Sequence, residues 1–452
     1  MTPNESPLPP SERRPSMSID ATTPAAGPPT GDGLSGQEPM FDAARDVWDP
    51  AALDPEPTYD GLWAELTPRQ REIRELAREV AVRELRPMAA HWDETEEFPR
   101  KTFEAVLETG LVGLTVPKRY GGQGESLLEG CIVVEELARA CLSTAMSVQP
   151  FLNGPWRAIN VLGTDEMRNR LLPGVADGTN HFAIAMSEPA AGSAGTDMRA
   201  TLAPDGDGFR LTGTKCWITG GHVADTIIVF ARLAGTSGPY GIGAVVLTGR
   251  PDGMGEFHID PKMGIRGVAE CMVHFDNVRI DPEDVLVMPE ERSKRGTGIL
   301  VNQFNPERCG NAAMCTGLGQ AALDASIGHL NARRQFGRPL ADFQGLQWKI
   351  ADMALDVHVS RMLVWRAARS GDGGFPDQTE TLLAKLHSSE MVQRVTNTAI
   401  GVHGARGYSR RWPVERYFRD GRGLVMGGGT PEVMRNVLGA QMLGVSGSQR
   451  RK

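Results

Sequence analysis

The hydrophobic pattern predicts an α+β fold built in three successive parts, helical, then β, then helical again. Three observations carry that prediction. Apolar residues recur at helical spacing up to about residue 178, as at Leu127, Leu128, Ile132, Val133 and Leu137. Near His181 the pattern becomes short strand-like runs, with Asp205-Gly206-Asp207-Gly208 as a strong hairpin turn. From about residue 306 the helical period returns. The expected division is 57–180 for an N-terminal helical domain, 181–295 for a middle β domain and 296–444 for a C-terminal helical domain. Residues 1–56, rich in Pro, Ser, Thr, Gly and Asp, and residues 445–452 bury too little apolar area to offset their ordering entropy, so both are expected to be disordered tails.

The elements follow in order. Thr67-Pro68 reads as an N-cap and first helical residue, with Pro87 ending that helix. A second helix is expected after Pro99, and Pro117 to Gly124 forms a glycine-rich loop. A helix over 127–142 follows, interrupted in its apolar pattern by Glu135 and Glu136, and two further helical stretches reach about 178. The strand-like runs are Phe182–Met186, Phe209–Ile218, Thr226–Ala231, Ile242–Leu247 and Cys271–Ile280. Long amphipathic stretches then fill 307–333, 342–370 and 380–403, with shorter ones at 412–420 and 430–443.

Composition excludes several classes. A chain of 452 residues is too long for one simple core. Its net charge of -8 argues against a nucleic-acid surface or a basic membrane patch. No apolar run has the length needed to cross a bilayer. The start lacks a charged segment followed by an apolar one and a cleavage site, so a cytoplasmic location is expected. The six cysteines form no Cys-x-x-Cys pair and there is no His-Glu-x-x-His, so they read as small core residues and no metal is expected.

Five motifs remain. They are Ala185-Met186-Ser187-Glu188-Pro189-Ala190-Ala191-Gly192-Ser193, then Gly213-Thr214-Lys215-Cys216-Trp217-Ile218-Thr219-Gly220, then Arg333-Arg334-Gln335-Phe336-Gly337-Arg338-Pro339-Leu340 with Gln344 beyond. Gly404-Ala405-Arg406-Gly407-Tyr408 follows, continued by Pro413-Val414-Glu415-Arg416 and Arg419-Asp420, and Met426-Gly427-Gly428-Gly429-Thr430-Pro431-Glu432 is last. In this order, across roughly 180–436, they resemble the acyl-CoA dehydrogenase family.

The resemblance implies an N-terminal helical domain, a middle β-barrel and a C-terminal four-helix bundle, binding FAD. Trp217 can stack or edge against an isoalloxazine, Thr219 and Ser187 can donate hydroxyl hydrogen bonds, and the backbone of Ala185, Met186 and Ser187 can bind the pyrimidine side. Taken alone, Trp217 would read as a barrel core residue. Arg333 suits a pyrophosphate, and in the family the equivalents of Arg333, Phe336 and Gln344 reach the FAD of a neighbouring subunit. That implies a homotetramer or homodimer. Gly401 and Ala405 stand where the family often has a Gln and a Gly at the adenosine half, and Thr430 and Glu432 lie in the flavin-site signature. Ser193 and Arg308 match positions on the CoA side of the ligand.

One departure decides the chemistry. The signature's usual catalytic Glu is Gly428 here, which keeps a backbone N–H for the thioester oxygen and loses the base. Glu307, in Phe304-Asn305-Pro306-Glu307-Arg308, stands where isovaleryl- and long-chain-like members carry theirs. The plainer reading of Glu307 is a first-turn residue favoured by the helix dipole. Loss of Tyr and Glu side chains at 427 and 428 implies room for a branched, cyclic or otherwise bulky acyl group. The resemblance thus implies α,β-dehydrogenation of an acyl-CoA with electron-transferring flavoprotein as acceptor. An acyl group on a carrier protein, an oxidase-like relative and a non-catalytic flavin-binding scaffold stay open.

Overall fold

The structure is a computed structural model describing residues 63–371 and 374–445. The expected tail at 1–56, and 446–452 of the other, lie outside the described residues. Helix α1 (Pro68–Val80) starts at a capping box in which Thr67 Oγ1 accepts from Gln70 N and Gln70 Oε1 accepts from Thr67 N. Its buried stripe is Ile73, Ala77 and Val80. Pro87 does not end the helical path, contrary to expectation. The chain runs through a π turn (Ala81–Leu85) and a 3-10 turn (Arg86–Met88) into α2 (Ala89–Thr95). Pro87 sits early in a new turn, where its missing N–H removes no interior rung.

After α3 (Arg100–Glu108), α4 (Leu127–Ala140) is buried along its whole length. Glu135 and Glu136 therefore do not mark a solvent face. They pair with Arg361 and Arg74, each at 2.7 Å, and Arg139 pairs with Asp324 at 2.6 Å. Burial of such charges is tolerated because each has an opposite partner. Helices α5 (Leu142–Asn153), α6 (Trp156–Leu162) and α7 (Asp165–Ala176) complete this part, one more than expected.

The middle part is an eight-stranded sheet among the described residues. Its strands are β1 (Phe182–Ala185), β2 (Thr201–Asp205), β3 (Gly208–Thr219), β4 (Thr226–Leu233), β5 (Ile242–Thr248), β6 (His258–Ile259), β7 (Glu270–Ile280) and β8 (Val285–Val287). β2 and β3 pair antiparallel through the expected Asp205–Gly208 turn. The pairing order starts at β6 and ends at β8, so backbone pairing does not close the expected barrel. Strand β4 explains how the sheet joins the helices. Ile227, Val229 and Ala231 belong to the sheet's own core, while Ile228 and Phe230 belong to the helical core. A strand buried on both faces reads as an unbroken apolar run.

Helix α8 (Arg295–Ala332) begins well before the expected start near 306, and Pro306 lies inside it. It packs on α4 and α5 at close range. A β-carbon at Gly310 would lie 2.2 Å from the Gln149 amide, and one at Gly317 would lie 2.1 Å from the Glu135 carbonyl oxygen. Helices α9 (Gln344–Arg369), α10 (Gln378–His403) and α11 (Pro413–Met426) pack around it, with α12 (Pro431–Leu443) against α10. Among the described residues no helix is long and apolar enough to cross a membrane. No cluster of His, Cys, Asp and Glu there could hold a metal, and all six cysteines are buried and free.

Candidate active site

Glu307 lies well inside α8, so a first-turn dipole contact does not account for it. The residue keeps partial exposure, but its Oε1 is closed off from solvent and has no hydrogen-bond partner. Burial pushes the Glu307 carboxyl up to about 8, against the opposing pull of the Arg308 charge. A buried carboxyl left without a partner is costly, and perturbed groups of this kind concentrate where chemistry is done.

Arg308 next to it is buried, with Nε donating to Gly428 O at 2.8 Å and Nη1 to Val301 O and Asn305 Oδ1. Asn305 in turn donates to Pro376 O. Those Arg308 donors meet protein oxygens and tie α8 to the glycine run that precedes α12. Gly428 has φ +72 and Gly429 φ +106, conformations that favour glycine. Lys385 is also buried here, donating to Ser389 Oγ and Leu424 O, and burial lowers its ammonium to about 8.

A second group surrounds Lys215, which is fully buried. Its Nζ donates to Met186 O at 2.9 Å and Glu188 Oε1 at 2.7 Å. Glu188 accepts from Arg199 N and Ala200 N, and Cys216 N donates to Ser187 O. The loop after Ala185 is thereby held rigid against β3. Trp217 sits at a register shift of β3 with φ +55, and is 60% exposed. It is therefore not a core residue of the sheet. Thr219 Oγ1 donates to the Glu270 carboxylate, which leaves the Thr219 oxygen as an acceptor.

The other expected residues stand on open surface. Arg333 is the exposed C-cap of α8, and Phe336, 93% exposed with φ +53, forms the turn between β9 (Arg334–Gln335) and β10 (Arg338–Pro339). Gln344, Gly401, Ala405 and Ser193 are exposed, and a β-carbon at Gly401 would touch nothing within 4 Å. Thr430 caps α12 by accepting from Val433 N. Its own backbone N–H and the Thr430 hydroxyl hold the exposed Glu432 carboxyl below its ordinary range. The structure thus joins Arg308, the neighbour of Glu307 on α8, to Gly428 in one cluster and Met186, Ser187 and the Trp217 strand in another.

Three family models match the chain in order. The acyl-CoA dehydrogenase N-terminal, middle and C-terminal domains cover residues 67–179, 183–278 and 294–443. The chain belongs to the acyl-CoA dehydrogenase family. A 3-sulfinopropanoyl-CoA desulfinase of Paraburkholderia xenovorans is 39% identical over 86% of this chain and 99% of its own. Butyryl-CoA dehydrogenase from Megasphaera elsdenii has a TM-score of 0.79 at 30% identity, covering 84% of this chain and 99% of its own. Glutaryl-CoA dehydrogenase in complex with glutaryl-CoA has a TM-score of 0.80 at 30% identity, covering 86% and 98%.

This acyl-CoA dehydrogenase is an FAD flavoprotein of the oxidoreductases acting on CH–CH groups. Its residues fit the cofactor: an exposed, backbone-strained Trp217 offers a flat apolar face beside the clamped Met186–Glu188 loop, and α12 offers a helix N-terminus at Thr430. Sequence reasoning missed Lys385, Gln303 and Asn311. The last two were within reach, because they lie four residues either side of Glu307 on one helix.

Proposed function

We propose that this protein dehydrogenates an acyl-CoA thioester between its α and β carbons, with Glu307 as the base that removes the α-proton. The observation that carries this reading is the buried, unpartnered Oε1 of Glu307 on the helix facing the glycine run. Arg308 anchors that run through Gly428 O and so sets its distance from the base. The Gly428 backbone N–H is the expected donor to the thioester oxygen. When bound, the flavin accepts the β-hydride.

The glycine run supports a substituted or bulky acyl group. A β-carbon at Gly428 would meet only Arg308 Cγ at 3.4 Å and Lys385 Cε at 3.8 Å, and one at Gly427 would meet Asn311 Nδ2 at 3.6 Å. Met434 fills part of the space beside Gly429, where a β-carbon would lie 2.4 Å from its Cε. Electron-transferring flavoprotein as acceptor, a cytoplasmic location and a homotetramer complete the reading.

The identity to a 3-sulfinopropanoyl-CoA desulfinase supports a second reading, removal of a sulfinate group from the acyl chain of a CoA thioester. Anaerobic titration separates the two. Straight and branched acyl-CoA thioesters should bleach the flavin band in the wild type and not in Glu307→Gln. Sulfite release from a sulfino-acyl-CoA without lasting bleaching would favour the second reading. Absence of both bleaching and sulfite release would count against both readings.

A further inference from the structure

On helix α8 the carboxamides of Gln303 and Asn311 lie one turn to either side of Glu307. Gln303 is 3% exposed, and both Nε2 and Oε1 of its amide are closed off without a partner. Asn311 is 9% exposed, and its Oδ1 accepts the weak Cys315 thiol at 3.7 Å. That Nδ2 lies 3.6 Å from where a side chain at Gly427 would begin. Cys309, Ala312, Ala313 and Met314 on α8 are small or apolar and fully buried. An unsatisfied buried amide costs roughly 1–3 kcal/mol, so the closed-off Gln303 amide, with the weakly partnered Asn311 on the other side of the base, argues for a polar ligand on this face.

We infer that the acyl group of the substrate carries a hydrogen-bonding oxygen, and that Asn311 is the specificity residue that reads it. The inference rests on Glu307 being the base of an acyl-CoA dehydrogenase. The depth of α8 sets the direction. Arg295, Gly298 and Asn302 are exposed, whereas residues 308–319 are buried without a break. A charged nucleotide handle favours the exposed end over the buried one, which would point the acyl chain toward Asn311. Four residues of α-helix advance about 6 Å, a separation that an oxygen on the δ carbon of an extended acyl chain, together with its hydrogen bond, can span. The substrate class is therefore a short acyl-CoA with a terminal oxygen, neutral or anionic. The Asn311 N–H groups donate to that oxygen, and the glycines at 427 and 428 leave it room.

Calorimetric binding to the flavin-loaded protein tests this, in a Glu307→Gln background so that no turnover occurs. Pentanoyl-CoA, 5-hydroxypentanoyl-CoA and glutaryl-CoA share five acyl carbons and differ in the terminal group. At least one polar thioester should bind about tenfold tighter than pentanoyl-CoA, and the two polar arms separate a neutral oxygen from a carboxylate. Adding Asn311→Leu should abolish that preference, and Asn311→Asp, of the same shape but with no N–H donor, serves where Leu impairs folding. A preference for pentanoyl-CoA, or a polar preference that survives both substitutions, overturns the inference and leaves the dehydrogenase reading intact. Failure of all three thioesters to bind would sink that reading as well.

Discussion

At the scale of single residues, the chemistry depends on the protonation of Glu307. Its carboxyl is pushed up to about 8, so below that pH most molecules carry the base in its inactive, protonated form. The kcat/KM for an acyl-CoA should rise about tenfold per pH unit from pH 6 and level off above about 8. A flat profile between pH 6 and 9 would remove Glu307 from the role of base. Replacement by Gln should lower the rate by about 10²–10⁴-fold with flavin retained. The same group shapes stability. Its folded-state pKa lies above the ordinary 4.5, so its contribution is complete below that value and is lost as pH rises toward 8. The thermal midpoint of Glu307→Gln should therefore gain on the wild type between pH 5 and pH 8.5. A gap that stays constant would show that the carboxyl is not held protonated.

At the scale of elements, the sequence showed which segments were helix and which were strand better than where they began. Pro306 reads as a helix start because proline favours a first turn, yet α8 already runs from Arg295. Strand β2 carries a weak sequence signal because Thr201–Asp205 is short and contains Pro204, and β6 and β8 have two and three residues. The flavin and base motifs were legible as strings. The bulge that turns Trp217 outward was not, because it comes from the register of β3 against β7. Nor could a string reveal that the Gln303 amide has no partner, which is a property of packing. The bulge supplies a prediction. A tryptophan at φ +55 stores roughly 1–3 kcal/mol of backbone strain, and its exposed ring contributes little to the core. Trp217→Gly should leave the flavin-free protein as stable as the wild type or more so, and should weaken flavin binding at least tenfold. A flavin-free variant that melts early would make Trp217 a packing residue.

At the scale of the whole molecule, Asp93 fastens the helical start to the sheet and the bundle. Its carboxylate accepts from Arg419 Nη1 and Nη2, at 2.8 and 2.6 Å, while Arg419 also donates to Met263 O and Asp420 accepts from Ile265 N. Burial would raise the Asp93 carboxyl, but the Arg419 contacts outweigh it and hold it below its ordinary 3.8. Its stabilising contribution is thus present at neutral pH and lost as pH falls through that lowered value. Asp93→Asn should cost about 3–5 kcal/mol at pH 7, measured by denaturant unfolding, and the deficit should shrink as pH falls below the ordinary 3.8. The outer surface carries the remaining argument. Trp348, Leu355 and Met362 recur every seven residues on α9 with 61%, 63% and 49% exposure, and Phe336 stands 93% exposed nearby in the chain. Two helical turns separate successive members of this stripe, so they share one face, and water is a poor neighbour for it. A second copy of the chain is the partner that the proposed homotetramer supplies. If that copy also lends Arg333, Phe336 and Gln344 to the flavin, assembly and cofactor retention must fall together. Leu355→Asp places a charge in the stripe, far along α9 from Gln344. It should reduce the sedimenting mass and release flavin on dilution, with the secondary structure unchanged by circular dichroism. A smaller assembly that keeps its flavin would separate the two roles, and an unchanged mass would leave the stripe without a partner subunit.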